Sequence, residues 1–336
     1  MRSKELKKFL KWSFKNNYPI LIKGAPGIGK TDIFTWAAKK VKYDLLIMHP
    51  VVDSPIDYKG LGTTINGKAV FLPYGNLERM MTAKKPLVVA FDDLGQAPAS
   101  VQSAVMQLLL ARSLNGKPIS KHVRFAAATN RREDKANVSG ILEPVKSRFA
   151  SIVELTVNVD DWIMWAEKHN MPSSLIHYIQ WRPAMLLNFK ATRDIENSPC
   201  PRTVAKVGMM INDKLPDDLL FEAVKGATGE AFAAEYTAFI RVYKELPTLK
   251  EILANPQSCK VPPDSEVSAK FAAMGMILDA ITSENMGKFL VYLDRLGNEI
   301  TTATMKLCTI KKPDVCKNSN YINWAINHNK HFKMIR

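Results

Sequence analysis

The stretch Gly24-Ala25-Pro26-Gly27-Ile28-Gly29-Lys30-Thr31 fits the pattern G-x-x-x-x-G-K-[ST] at every fixed position, and its setting decides the fold. Before it, Ile20-Leu21-Ile22 reads as a short buried strand. After it, Ile33, Phe34, Ala37, Ala38 and Val41 recur at helical spacing between Thr31 and Lys42. A strand, a glycine-rich turn and a helix are the three parts of a triphosphate cradle. The glycines let backbone N–H groups turn inward on phosphate oxygens, and the helix directs its positive dipole end at the same charge. Lys30 is placed to reach the β- and γ-phosphates and Thr31 to ligate Mg²⁺.

Working outward, Leu87-Val88-Val89-Ala90-Phe91 is a continuous apolar run ending in Asp92-Asp93. An acid at the carboxyl end of a buried parallel strand lies where open α/β sheets bind ligands. Asp92 is expected to hold Mg²⁺ through water, and Asp93 to orient or deprotonate the attacking water. Val123 to Ala128 is a further buried run that delivers Thr129-Asn130, whose amide can hydrogen-bond the lytic water or the γ-phosphate. Leu45 to Met48 and Ser151 to Leu155 complete the predicted strands, and His49 to Asp57 is expected to be an extended loop because of its prolines. Asn66-Gly67 and Asn115-Gly116 mark hairpin turns. Asn76 to Ala83, Ser100 to Ala111 and Glu143 to Phe149 read as helices. The sheet region ends near residue 156. From Val159 the pattern is helical, with a start at Pro201 and further helices expected around 217–225, 230–244, 248–254, 265–281, 285–307 and 320–329.

A chain of 336 residues with 46% hydrophobic and 24% charged side chains belongs to the soluble globular class and has room for two domains. No apolar run approaches the ~20 residues of a membrane span, and the charged start carries no secretory core, so a cytoplasmic protein is expected. Cys200, Cys259, Cys308 and Cys316 are far apart and lack metal-ligand spacing, so reduced thiols are expected. The formal charge of +15 is concentrated at the ends. Residues 1–15 hold six Lys/Arg against Glu5, and residues 306–336 hold seven against Asp314. In the first of these, Leu6, Phe9, Leu10 and Phe14 predict a helix docked on the body with its lysines outward. Such ends can hold a phosphate backbone or an acidic surface, although no helix-turn-helix, zinc finger or aromatic-basic stripe is legible.

The ordered set resembles the AAA+ ATPases, and most closely their MoxR-like branch. It comprises the glycine-rich loop, His49-Pro50 through Asp57 and Gly60, Phe91-Asp92-Asp93-Leu94-Gly95-Gln96-Ala97-Pro98 with Val101-Gln102, Thr129-Asn130-Arg131, Lys146-Ser147-Arg148-Phe149 and Pro201-Arg202-Thr203. The resemblance implies a parallel sheet sandwiched by helices over residues 1–156, with the basic helix 1–15 at its start. It also implies an α-helical lid with a C-terminal helical extension over 157–336. Asn130 becomes sensor 1, Arg148 an arginine finger acting on a neighbouring subunit's nucleotide, and Arg202 sensor 2. A homo-oligomeric ring, commonly of six subunits, follows from the finger. The hairpins near Gly60 to Tyr74 and Arg112 to His122 match the helix-2 and pre-sensor-1 insertions, which face a pore or client.

The resemblance therefore implies a Mg-ATP hydrolase that remodels a protein client, with a von Willebrand A domain protein as partner. Two other readings stand beside it. One is a DNA- or RNA-associated motor or loader, suggested by the basic termini. The other is an ATP-gated assembly switch, suggested by Asp93 where the family usually has Glu. The aspartate is one methylene shorter, so slow turnover is expected.

Overall fold

The computed structural model describes residues 1–114, 116–134, 140–192 and 194–328. Its strands are β1 (Ile20–Lys23), β2 (Asp44–Met48), β3 (Leu61–Ile65), β4 (Lys68–Leu72), β5 (Leu87–Phe91), β6 (Ser113–Leu114), β7 (Lys117–Pro118), β8 (Val123–Thr129) and β9 (Ser151–Glu154). The helices of the first half are α1 (Ser3–Asn16), α2 (Lys30–Val41), α3 (Pro55–Lys59), α4 (Gly75–Thr82), α5 (Ala99–Ala111) and α6 (Glu143–Lys146). After them come α7 (Val159–Lys168), α8 (Ser173–Trp181), α9 (Pro201–Asn212), α10 (Leu220–Thr228), α11 (Glu230–Glu245), α12 (Leu249–Ala254), α13 (Val267–Ala280), α14 (Met286–Leu296), α15 (Asn298–Lys311) and α16 (Ser319–Asn327).

The chain divides into two compact units, one of Met1–Trp162 with Leu187–Thr203 and one of Ile163–Leu186 with Val204–Arg336. The stretch Leu187–Thr203, read from sequence as part of the helical half, belongs to the first. That unit is built on a parallel five-stranded sheet in the order β2-β5-β8-β1-β9. Strand alternation sends successive side chains to opposite faces, and both faces are covered. Val88, Ala90, Ala126, Ala128, Ile20 and Ile22 pack with Leu6, Leu10 and Phe14 of α1 and with Ile33, Phe34, Ala37 and Ala38 of α2. Val89, Phe91, Phe125, Ala127 and Leu21 pack instead with Tyr58, Leu77, Met80, Val101, Val105 and Leu108 from α3, α4 and α5. Burial on both sides explains why these strands read as unbroken apolar runs. The result is a P-loop nucleoside-triphosphatase fold, with the sheet sandwiched by helices.

Two small antiparallel hairpins stand apart from this sheet, β3–β4 and β6–β7. The first turns at Asn66-Gly67, where both residues have positive φ, as a tight two-residue turn requires. Asn115, half of the turn expected in the second, lies outside the described residues, as does the end of the basic tail, 329–336.

Three expectations change. Pro55 opens a helical turn rather than an extended loop, because a proline at the first helical position gives up an N–H that has no partner there. Ser54 and Asp57 form a capping box around it. The helix expected over 285–307 is two helices, since Gly297 adopts φ 113° between α14 and α15, a conformation that ends a helix. Glu143 to Phe149 is helical only to Lys146 and continues as a turn.

The second unit is helical. Its main core joins Ile252, Met274, Ile277, Phe289, Leu293 and Met305 from α12 to α15, with Trp324 of α16. A separate aromatic cluster sets Tyr178 of α8 against Phe232, Tyr236 and Phe239 of α11.

Candidate nucleotide site

Because β1, β5 and β8 run parallel, their carboxyl ends meet at one edge of the sheet. Lys23 is level with Thr129, and Phe91 is level with Ala127. β1 runs into the Gly24–Thr31 loop, β5 into Asp92-Asp93, and β8 into Asn130. The loop is tied to its neighbour by a hydrogen bond from the Gly24 N–H to the Thr129 carbonyl, 3.2 Å. Gly27 and Gly29 have φ of +70° and +88°, values at which a side chain is strained. A Cβ on Gly27 would also collide with the Sγ of Cys200.

The side chains converge. Thr31 Oγ1 donates to Asp92 Oδ2 at 2.6 Å. Lys30 Nζ donates to the carbonyls of Gly24 (3.0 Å) and Ala25 (2.9 Å) and to Asn130 Oδ1 (2.6 Å). The same Asn130 turns its Nδ2 to Asp93 Oδ1 at 3.2 Å. Arg202, at the start of α9, is held by its own N–H donating to the Gly27 carbonyl at 2.9 Å. A cleft lined by Pro26, Gly27, Gly29, Lys30, Thr31, Asp92, Asp93, Asn130 and Arg202 results. Ile28 is half-buried against the α1–α2 side of the sheet.

Electrostatics follow from this crowding. Burial lowers the Lys30 pKa to about 8, with Asp93 and Asp92 opposing the shift and Arg202 adding to it. Burial first, and the neighbouring Asp92 charge second, raise the pKa of Asp93, which makes it a better proton acceptor. Asp93 also sits at φ 55°, a left-handed backbone that aspartate tolerates better than most residues.

The donor set fits a magnesium triphosphate. Thr31 and Asp92 place a hydroxyl and a carboxylate side by side, the hard oxygen donors Mg²⁺ takes. Lys30, buried and now satisfied only by neutral acceptors, is a cation available to phosphate. Among the described residues no group of three or more His, Cys, Asp and Glu side chains could hold a metal by itself, and the four cysteines are free thiols.

Arg148 is not in this cluster. It lies beyond α6 with Nη1 donating to Ser147 Oγ at 3.1 Å, and its buried Nε has no hydrogen-bond partner. Gln102 and Arg131 stand in the motifs quoted above without a role, and Cys200 was read only as a reduced thiol; the structure shows what each supports. Gln102 of α5 donates to the carbonyls of Ala97 and Gly140 and accepts from the Leu142 N–H, so it joins the segment after Asp93 to the segment before Arg148. Arg131 donates to the buried Asp134 and reaches Glu154. Cys200 backs Gly27. A glutamine and a lone cysteine carry no pattern that names their partners, so these contacts come only from the fold.

No family model matches the chain, and no curated protein matches it. Among solved structures it is similar to the Thermotoga maritima RuvB Holliday junction branch migration motor at 15% identity, over 76% of this chain and 75% of that one, with a TM-score of 0.42. It is also similar to replication initiator DnaA bound to AMPPCP and single-stranded DNA at 15% identity, over 98% of this chain and 93% of that one, with a TM-score of 0.39. Likeness at this level says nothing of ligand or partner. Among the described residues no helix is long and apolar enough to cross a membrane.

Proposed function

We propose that the chain binds and hydrolyses Mg-ATP as an AAA+ ATPase of the MoxR-like branch, working as a ring of copies on a protein client. The observation that carries the reading is the 2.6 Å contact between Thr31 and Asp92. It joins residues 61 positions apart into the hydroxyl–carboxylate pair that the sequence pattern requires. The glycine-lined turn and Lys30 bind the β- and γ-phosphates. Thr31 and Asp92 would hold Mg²⁺, which would supply positive charge to the phosphate oxygens. Asp93 orients the attacking water and takes its proton, and Asn130 fixes Asp93 through its amide. Arg202 adds a forked, permanent charge to the same cleft.

Arg148 acts in this reading on the nucleotide of an adjoining copy, where such a finger is worth ~10³-fold or more in rate. Client, ring, lid and von Willebrand A partner rest on the resemblance. The test is Mg-ATP affinity and phosphate release for wild type, Lys30→Ala and Asp93→Asn. The expected result is loss of affinity in the first variant, and retained affinity with lost turnover in the second. Undiminished affinity in Lys30→Ala overturns the reading.

A further inference from the structure

The first turns of the chain carry a surface that the nucleotide site does not use. Leu6, Leu10 and Phe14 bury one face of α1 against α2. Contrary to the expectation from sequence, an aromatic-basic stripe is present: on the opposite side Lys4, Lys8, Trp12 and Lys15 stand at i, i+4, i+8 and i+11 along the helix. Lys4, Lys8, Lys11 and Lys15 form no ion pair among the described residues, whereas Arg2 is paired with Asp161 at 3.2 Å. Trp12 is 50% exposed and Tyr18 47%.

These rings are organised. Phe9 stacks on Trp12 with centroids 5.9 Å apart and planes 11° apart, and Trp12 stacks on Tyr18 at 5.1 Å and 7°. Tyr18 is folded back by the left-handed Asn17, φ 60°. The turn is held by the Tyr18 N–H donating to the Ser13 carbonyl and by Ser13 Oγ donating to the Tyr18 carbonyl. On the other border of the lysine stripe Trp36 lies under Lys7 and Lys40, 5.2 and 5.9 Å from the ring. A helix of lysines edged by indoles, with one near-parallel stack ending in a half-exposed ring, combines backbone charge with a platform on which bases continue the stack.

We infer that α1 with Tyr18 is a binding surface for a single-stranded nucleic acid. Charge complementarity selects a polyanion, and the stacked rings select one with unpaired, flat bases over a duplex or an acidic peptide. The lysine stripe rises about 16 Å from Lys4 to Lys15, the length of roughly five stacked nucleotides at 3.4 Å each. Two asparagines beside the rings each use one end of the amide within the chain. Asn16 Nδ2 donates to the Trp12 carbonyl, and Asn17 Oδ1 accepts from Arg112. Stacking on the rings and pairing of lysines with phosphates read base and backbone, not the sugar. The inference does not depend on ATP being bound or hydrolysed.

The experiment is fluorescence anisotropy of labelled oligo(dT) with the full chain and no nucleotide, across a salt series. Oligo(U), duplex DNA and polyglutamate serve as competitors, and thermal unfolding is followed for each variant. Trp12→Ala and Tyr18→Ala are each expected to weaken binding about tenfold, with melting showing that each variant stays folded, while Trp12→Phe retains most of the affinity. Replacing Lys8 and Lys15 together by Gln should flatten the log–log salt dependence by roughly 1.4, from about 0.7 per phosphate contact. Absence of binding at about 50 mM salt overturns the inference. So does affinity that survives both ring-to-alanine changes, tighter binding of duplex, or displacement by polyglutamate alone, while the ratio of oligo(dT) to oligo(U) affinity tells DNA from RNA.

Discussion

Lys30 shows how one buried charge couples ligand, pH and fold. Its folded pKa is about 8 against an ordinary 10.5, because burial outweighs the attraction of Asp93 and Asp92. Between those values the unfolded chain holds the proton and the folded chain does not, so this residue makes stability rise with pH there. In the proposed reading, phosphate binding requires the charged form and takes the proton back. ATP affinity is therefore expected to fall as pH rises above about 8, by up to tenfold per unit, and calorimetry in buffers of different ionisation heat should show proton uptake. Asp93→Glu tests the shorter carboxylate. If the missing methylene limits water placement, phosphate release rises more than about tenfold in the variant. Turnover within that margin of wild type removes the assembly-switch reading. Gly27→Ala meets both a positive φ and the Cys200 thiol, and should cost about 1–3 kcal/mol in denaturant titration.

At the scale of elements, pattern and tertiary context divide the work. α1, α2, α5 and the strands of the large sheet follow from apolar spacing, since each buries a face whose period is fixed by its own geometry. α1 is held by three side chains with no measurable exposure, Leu6, Leu10 and Phe14. Leu10→Ala should lower stability by about 2–5 kcal/mol, read from the urea midpoint. The break between α14 and α15 was hidden because Gly297 sits in a sequence with helical periodicity on both sides. No atom lies within 4 Å of a Cβ placed there, so Gly297→Ala tests the φ of 113° with little steric interference. A loss of about 1 kcal/mol is expected. The Phe9–Trp12–Tyr18 stack was equally illegible. Trp12 falls outside the apolar stripe, and Tyr18 reaches it only because Asn17 reverses the chain.

For the whole molecule, the division into units departs from a single cut along the chain. Leu187–Thr203 returns to the sheet unit and brings Arg202 to Gly27, although α9 continues beyond it. Arg148, by contrast, stays outside the cleft of its own chain. If it serves an adjoining copy, Arg148→Ala and Lys30→Ala are each inactive, and mixing them restores part of the phosphate release. A mixture no more active than its parts ends the proposal of a shared site.

The candidate nucleotide site was legible in Gly24–Thr31, Asp92-Asp93 and Asn130 because a phosphate cradle needs fixed residue types at fixed spacing, and a buried parallel strand announces itself by an unbroken apolar run. What pattern cannot carry is distance between residues far apart in the chain. The sheet order set Asp92 against Thr31 and Asn130 between Lys30 and Asp93. Close packing, which depends on all the neighbours at once, put Cys200 behind Gly27 and Gln102 across two loops. A left-handed turn at one asparagine placed Tyr18 on Trp12.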